Sequence, residues 1–254
     1  MLKTELLNTW NKKSIHISGI LAILAFLPLS QVQAASLQVA PILIEFSSAD
    51  KAKELWLTNT GSTNIRAQVR VQQWTQQNSQ DNLAATKNLI ASPLITEVKP
   101  GQRQLVRLIK PAATPVNQEQ AFRLIVDELP DNKSNNNKTG LNILLQYSIP
   151  VFYKTNQKPM INQGITSIDR VQFKYAKGQL TATNLSNSYI RLSQLSYVSG
   201  NGKKSPLFPG LVGYVLVGQT MSWILPAAIP LDSSGKFQAV INSDFKEQTL
   251  PVQK

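Results

Sequence analysis

The run from Leu141 to Tyr153, LNILLQYSIPVFY, limits the fold more than any other stretch of the chain. Leu141, Ile143, Leu145, Tyr147, Ile149 and Val151 recur at every second position, so an extended backbone puts all six on one face. A strand usually needs about five or six residues, so part of this run is expected to extend beyond the sheet that supports it. It follows DNKSNNNKTG, Asp131 to Gly140, a tract with almost nothing apolar to pack against a core. Two readings compete for the strand. It is either a core strand of its own sandwich, or an exposed edge on which another protein's strand can be built. The strand alone does not decide between them.

The same period of two recurs along the chain. Leu37, Val39, Ile42, Ile44 and Phe46 read as a first strand broken at Pro41, a residue that strands tolerate chiefly at an edge. Leu55 and Leu57 alternate with polar neighbours up to the turn at Asn59-Thr60-Gly61. From Ile65 to Trp74 the alternation is clean, and a polar stretch follows from Thr75 to Asp81. Further strands are expected at Ile95 to Val98, Gln102 to Ile109 and Phe122 to Leu129, the last forming a hairpin with the Leu141 strand. No window shows a helical period, which predicts an all-β sandwich of roughly seven strands. After Tyr153 a polar, proline-containing stretch reads as a linker. The pattern then repeats at Val171 to Tyr175, Gln179 to Asn184, Tyr189 to Tyr197, Tyr214 to Val217, Thr220 to Leu225 and Phe237 to Ile241, a second and smaller sandwich. The fold class is therefore all-β, with two sandwiches set at an angle and a cleft between them.

The first 34 residues read as a secretory signal. Lys12 and Lys13 are followed by an apolar Ile17 to Pro28 and a small-residue cleavage site at Val32-Gln33-Ala34. The apolar run falls short of the roughly 20 residues a spanning helix needs, so no stable membrane insertion is expected. The boundaries expected are 1–34 for the signal, 35–154 for the first domain with its strand at 141–153, 155–162 for the linker and 163–254 for the second domain.

Three lysines and one glutamate lie in the leader, which leaves 23 Lys and Arg against 13 Asp and Glu. The cations are scattered along strands without a dense cluster, which together with secretion argues against nucleic acid and for acidic protein surfaces or carboxylates. There is no cysteine, so core burial alone must stabilise the fold. The single histidine, His16, lies in the leader, so the mature chain has neither imidazole nor thiol. Ser-His-Asp and Cys-His catalysis and zinc sites built on those groups are excluded. Asp127 and Glu128 are the only adjacent acids, and neighbours on a strand face opposite ways, so they make a poor glycosidase pair. The chain reads as non-catalytic, with no cofactor.

Several segments in order now carry a resemblance: KPGQRQLVRLIK (Lys99 to Lys110), FRLIVDELP (Phe122 to Pro130), the polar loop, the long strand ending in VFYK, and GQLTATNLSNSYIRL (Gly178 to Leu192) with Asn184 and Tyr189. Together they resemble the periplasmic chaperones of the chaperone-usher pilus pathway, the PapD-like family, over the whole mature chain. The wording SPLI (Ser92 to Ile95), FRL and DELP is similar to the family's archaic branch. The resemblance implies immunoglobulin-like domains, a periplasmic location and no enzymatic activity. Its implied function is to bind pilus subunits by donor-strand complementation and deliver them to an outer-membrane usher. It implies Leu141, Ile143, Leu145 and Tyr147 as the subunit-binding strand, the first three lent to the subunit and Tyr147, with Ile149 and Val151, kept in the protein's own core. It further implies Glu128, Lys154 and Asp232 as charges that hold the domains together.

In well-known members an Arg and a Lys in the cleft bind the subunit's terminal carboxylate; here those positions hold Leu43 and Pro150. Arg123, on the strand expected to pair with Leu141 to Tyr153, is the first candidate to replace them, and Arg107 the second. Two other functions remain open, a structural pilus or adhesion subunit and a secreted carbohydrate-binding protein. Also open is self-association of the free protein, which an exposed apolar edge favours.

Overall fold

A computed structural model describes residues 36–111, 118–130, 143–155, 167–226, 234–242, 244 and 246–253. Among these residues alternating apolar positions produce β-strands, with a short 3-10 helix at Ser167–Arg170.

The described strands between residues 37 and 153 form two facing sheets. The first sheet is made of β1 (Leu37–Ala40), β3 (Ala52–Asn59), β8 (Arg103–Ile109) and β6 (Ile90–Ser92) in the order β1-β3-β8-β6. The second is made of β2 (Ile44–Phe46), β10 (Gln146–Tyr153), β9 (Gln120–Leu129), β4 (Ile65–Gln77) and β5 (Gln80–Ala85) in the order β2-β10-β9-β4-β5, with β7 (Ile95–Val98) also on β4. Their inner faces bury Leu37, Leu55, Leu57, Val106, Leu108, Phe122, Leu124, Val126 and Val151 completely. Each such side chain contributes about 1.5–3 kcal/mol by leaving water.

The single first strand expected from Leu37 to Phe46 is two strands in different sheets. Pro41 lacks an N–H and lies in neither ladder, and the chain crosses from β1 to β2 there. The polar stretch after Trp74 is a hairpin: β4 continues to Gln77 and turns through Asn78 and Ser79, both at positive φ, into β5. Every residue of β5 is exposed, so no inward alternation marks it in the sequence.

The described strands between residues 171 and 253 form a second pair of sheets. One has β15 (Thr220–Ile224), β12 (Gln179–Asn184), β11 (Val171–Ala176) and β18 (Val252–Gln253) in the order β15-β12-β11-β18. The other has β14 (Lys204–Val215), β13 (Ile190–Val198), β16 (Lys236–Ile241) and β17 (Glu247–Thr249) in the order β14-β13-β16-β17. Phe173, Leu180, Ile190, Leu192, Leu195, Tyr197, Val215 and Phe237 fill the space between them.

One device occurs in both sandwiches. In the first, the buried Asn59 side chain donates to the carbonyls of Thr63 and Val98, and its oxygen accepts the Gly61 N–H. Its backbone is clamped too, donating to Gln102 and accepting from Gly101. In the second, Asn184 donates to Ser188 and Val215 and accepts from the Ser186 N–H, while its backbone donates to Gln219 and accepts from Gly218. Gly101 and Gly218 both take positive φ, 68° and 73°, a conformation that favours glycine. Each asparagine thus ties a strand end to the turn that joins the two sheets, and supplies the buried Val98 or Val215 carbonyl with a partner.

Candidate functional site

The site is the edge of β10 together with the cavity at its inner end. β10 runs antiparallel to β9, the hairpin expected from the sequence, and the register sets Gln146 opposite Asp127 and Pro150 opposite Arg123. On its other side β2 runs parallel to it and covers only Val151, Phe152 and Tyr153. The direction of the backbone groups follows from two hydrogen bonds. The Leu145 carbonyl accepts the Glu128 N–H at 2.8 Å, on the β9 side, and the Lys154 N–H donates to Phe46 at 2.8 Å, on the β2 side. Peptide groups alternate sides along a strand, so those of Gln146, Ser148 and Pro150 face the β2 side, before β2 begins. Among the described residues no strand pairs with this part of the edge.

Side chains divide along the same strand. Ile149, Val151 and Tyr153 lie in the core of the sandwich, and Leu145 and Tyr147 pack half-buried against it. The Tyr147 hydroxyl donates to the Leu37 carbonyl, tying this part of β10 to the facing sheet. Ile143 is 66% exposed and Leu144 45% exposed. Strand structure begins at Gln146, so Ile143 and Leu144 precede it, Leu145 is tied to β9 only through Glu128, and Leu141 lies outside the described residues.

The outer face of β10 and its neighbours meets the second sandwich. Trp74, Ala121 and Phe152 bury themselves against Tyr189, Tyr214 and Leu216. Phe152 and Tyr189 are stacked with centroids 3.8 Å apart and planes 13° apart. Gln76 acts as a substitute strand rung across this junction: its amide donates to the Tyr214 carbonyl at 2.9 Å, and its oxygen accepts the Leu216 N–H at 2.8 Å.

The junction charges are only partly those expected. Lys154 takes part, at 3.1 Å from Glu119 and 3.2 Å from Glu45. Glu119 also accepts from the Ser188 hydroxyl and the Tyr189 N–H, and Glu45 accepts from the Tyr189 hydroxyl. Glu128 does not join this group; its carboxylate accepts the Leu145 N–H at 3.3 Å beside the open edge. Asp232 lies outside the described residues. Glu119 was not singled out from the sequence, where it is a lone acid just ahead of β9 with no pattern around it.

Burial raises the Glu119 carboxyl above its ordinary value of 4.5, against the pull of the Lys154 ammonium and its hydrogen-bond donors. A carboxyl with a raised folded pKa contributes stability that is present below about pH 4.5 and lost as pH rises through the folded value. Glu119→Gln cannot ionise. The melting temperature of the wild type relative to this variant should therefore fall as pH is raised from about 4. A difference that stays flat in thermal melts across this range contradicts the assignment.

A cavity of about 470 Å³ opens where the two sandwiches meet, lined by Leu43, Arg123, Ser148, Pro150, Arg191 and Tyr214 among others. The Arg123 guanidinium lies 3.7 Å from the Trp74 ring centroid and 4.0 Å from Asp81. Burial lowers its pKa from the ordinary value, offset in part by Asp81 and Tyr214. Arg107 is on β8, in the facing sheet, opposite Glu54 and exposed. Thus Arg123 reaches the cavity beside β10, and Arg107 is not among its lining residues.

Comparison with known proteins adds the lineage. Residues 36–157 match the model of the pili and flagellar-assembly chaperone, PapD N-terminal domain. No curated protein sequence matches the chain. The crystal structure of the CsuC-CsuE chaperone-tip adhesion subunit pre-assembly complex, from archaic chaperone-usher Csu pili of Acinetobacter baumannii, contains a similar chain. The two are 26% identical with a TM-score of 0.63, over 86% of this chain and 98% of that one. The YadV chaperone shares the fold at 16% identity and a TM-score of 0.61, over 85% of this chain and 100% of its own. So does a chain of the Salmonella enterica SafA pilin–SafB chaperone complex, at 13% identity and a TM-score of 0.60, over 86% of this chain and 96% of its own. With this match and this architecture, the first sandwich of the chain belongs to the pili and flagellar-assembly chaperone family, the PapD N-terminal domain, and the chain as a whole is similar to the pilus chaperones above.

Proposed function

We propose that this protein is a periplasmic chaperone that captures pilus subunits by lending them the open edge of β10. The observation that carries the reading is that edge: the backbone groups of Gln146 and Ser148 face a side that no described strand pairs with, and the exposed Ile143 and Leu144 lie just ahead of it. An added strand would gain backbone hydrogen bonds along the edge, and pockets for the lent side chains would supply selectivity. Leu141, Ile143 and Leu145 are the lent residues, with Tyr147 at the boundary. The chain works by binding, without a reaction or cofactor of its own. Signal cleavage near Ala34 places it in the periplasm, and delivery to an outer-membrane usher completes the cycle. The likeness to a chaperone of Csu pili favours the archaic branch.

Arg123 is the proposed carboxylate anchor. It projects into the cavity next to Pro150 and is held in place by Trp74. A guanidinium offers a carboxylate two parallel hydrogen bonds. Arg123→Glu should lower subunit capture roughly 100-fold, whereas Arg107→Glu on the facing sheet should leave it unchanged. Capture and pilus yield unaffected by Arg123→Glu would remove the anchor from the proposal. Purification of the tagged protein from the periplasm, with identification of what accompanies it, tests the function itself. A small β-protein recovered in equal ratio supports it; only free monomer, or a glycan, counts against it.

A further inference from the structure

The edge that faces an incoming strand is interrupted by a proline, and this has consequences for where that strand can stop. Along β10 the groups facing the β2 side belong to Gln146, Ser148, Pro150 and Phe152. Phe152 lies within the part of β10 that β2 covers, since β2 begins at Ile44 opposite Val151. Pro150 therefore occupies the last position of the open edge, and it has no N–H to donate. Strands accept proline where an interrupted ladder costs nothing, and here the interruption falls where two segments would meet end to end. The side chains agree with the backbone: Leu43, in the linker between β1 and β2, lines the same cavity as Pro150 and Ser148, with Arg123 opposite Pro150 in register.

We infer that Pro150 is a positioning residue, a stop that ends the ladder of an incoming strand after Ser148 and so fixes its register on β10. The inference rests on the strand-lending reading and goes beyond it: it explains what limits the added strand and what sets its end at the mouth of the cavity. An incoming carbonyl finds donors at Gln146 and Ser148 and none at Pro150. Sliding the strand further inward would forfeit a rung, and sliding it outward would leave one open. The register with the full set of bonds is the one that terminates beside the Arg123 cavity.

The test restores the missing donor with Pro150→Ala in the full mature chain, carrying the subunit that co-purifies with the wild type. Residue-specific amide exchange is read for Gln146, Ser148 and the new N–H at position 150, and the dissociation rate of the complex is measured. The expected result is a position-150 amide that exchanges freely in the uncomplexed variant and is protected in the complex. Dissociation should then slow by about 3- to 10-fold, as one added hydrogen bond allows. Protection of that amide before any subunit binds would mean that β2 already covers the position, which overturns the inference. An amide at position 150 left unprotected in the complex also overturns it while Gln146 and Ser148 are protected, and in that case strand lending stands. Loss of protection at all three positions overturns strand lending itself. Ser148→Pro provides a second route if Pro150→Ala does not fold: a stop two residues earlier should speed dissociation roughly 10-fold, and an unchanged rate contradicts the inference.

Discussion

Ile143→Asp should abolish subunit capture while leaving the free protein intact. Ile143 is 66% exposed and precedes β10, so the isolated chain gains little from burying it and its melting temperature should move by less than about 1 °C. On the strand-lending reading the same side chain enters an apolar groove of the subunit. A carboxylate there loses its hydration without a partner, which costs several kcal/mol and corresponds to a loss of roughly 100-fold or more in affinity. The measurement is the yield of co-purified subunit beside a thermal melt of the free chain. Leu145→Asp sharpens the comparison because Leu145 packs half-buried against the protein's own core, so that change should lower capture and stability together. Unaltered capture by Ile143→Asp would place the subunit contact elsewhere.

The second large effect concerns the fold that holds the edge in place. Asn184→Ala leaves the Val215 carbonyl and the Ser186 N–H without this partner and the Ser188 carbonyl with the Ser186 hydroxyl alone. Each lost bond costs about 0.5–1.5 kcal/mol and each stranded buried group adds to it, for a total of about 3–5 kcal/mol. In a chain of this size that lowers the melting temperature by roughly 10 °C. Asn59→Ala should do the same through Thr63, Val98 and Gly61. A loss below about 1 kcal/mol in denaturant melts at either site would contradict the role assigned to the pair.

The particular residues show what the chain disclosed and what it withheld. Strands with a buried and an exposed face were readable: Gln179–Asn184 stands where the alternation put it, and β9 and β10 pair as expected across the polar tract. Where both faces are covered or neither is, alternation fails. Gln80–Ala85 has no buried face, and Gln76 turns away from the first core to meet the second sandwich, so the sequence after Trp74 reads as a polar stretch without a strand. The repeated asparagine device did leave a signal that was missed. Thr-Asn followed six residues later by Ile occurs at 58–65 and 183–190, and Val-x-x-Gly-Gln occurs at 98–102 and 215–219. The junction charges were less legible, because Glu119, Glu45 and Lys154 are distant in sequence and only the packing of Tyr189 and Phe152 brings them together. Arg123 and Arg107 are both plain strand arginines in sequence, and only sheet membership separates them.

The central claim is that the segment ahead of β10 and the open edge beside it lie inside the subunit. A photo-crosslinking residue placed at Ile143, with the same residue at the exposed Arg107 of the facing sheet as a reference, tests this in the assembled complex. Crosslinking to the subunit from position 143 and not from 107 is the predicted result. No product from 143, or equal products from both positions, would contradict it.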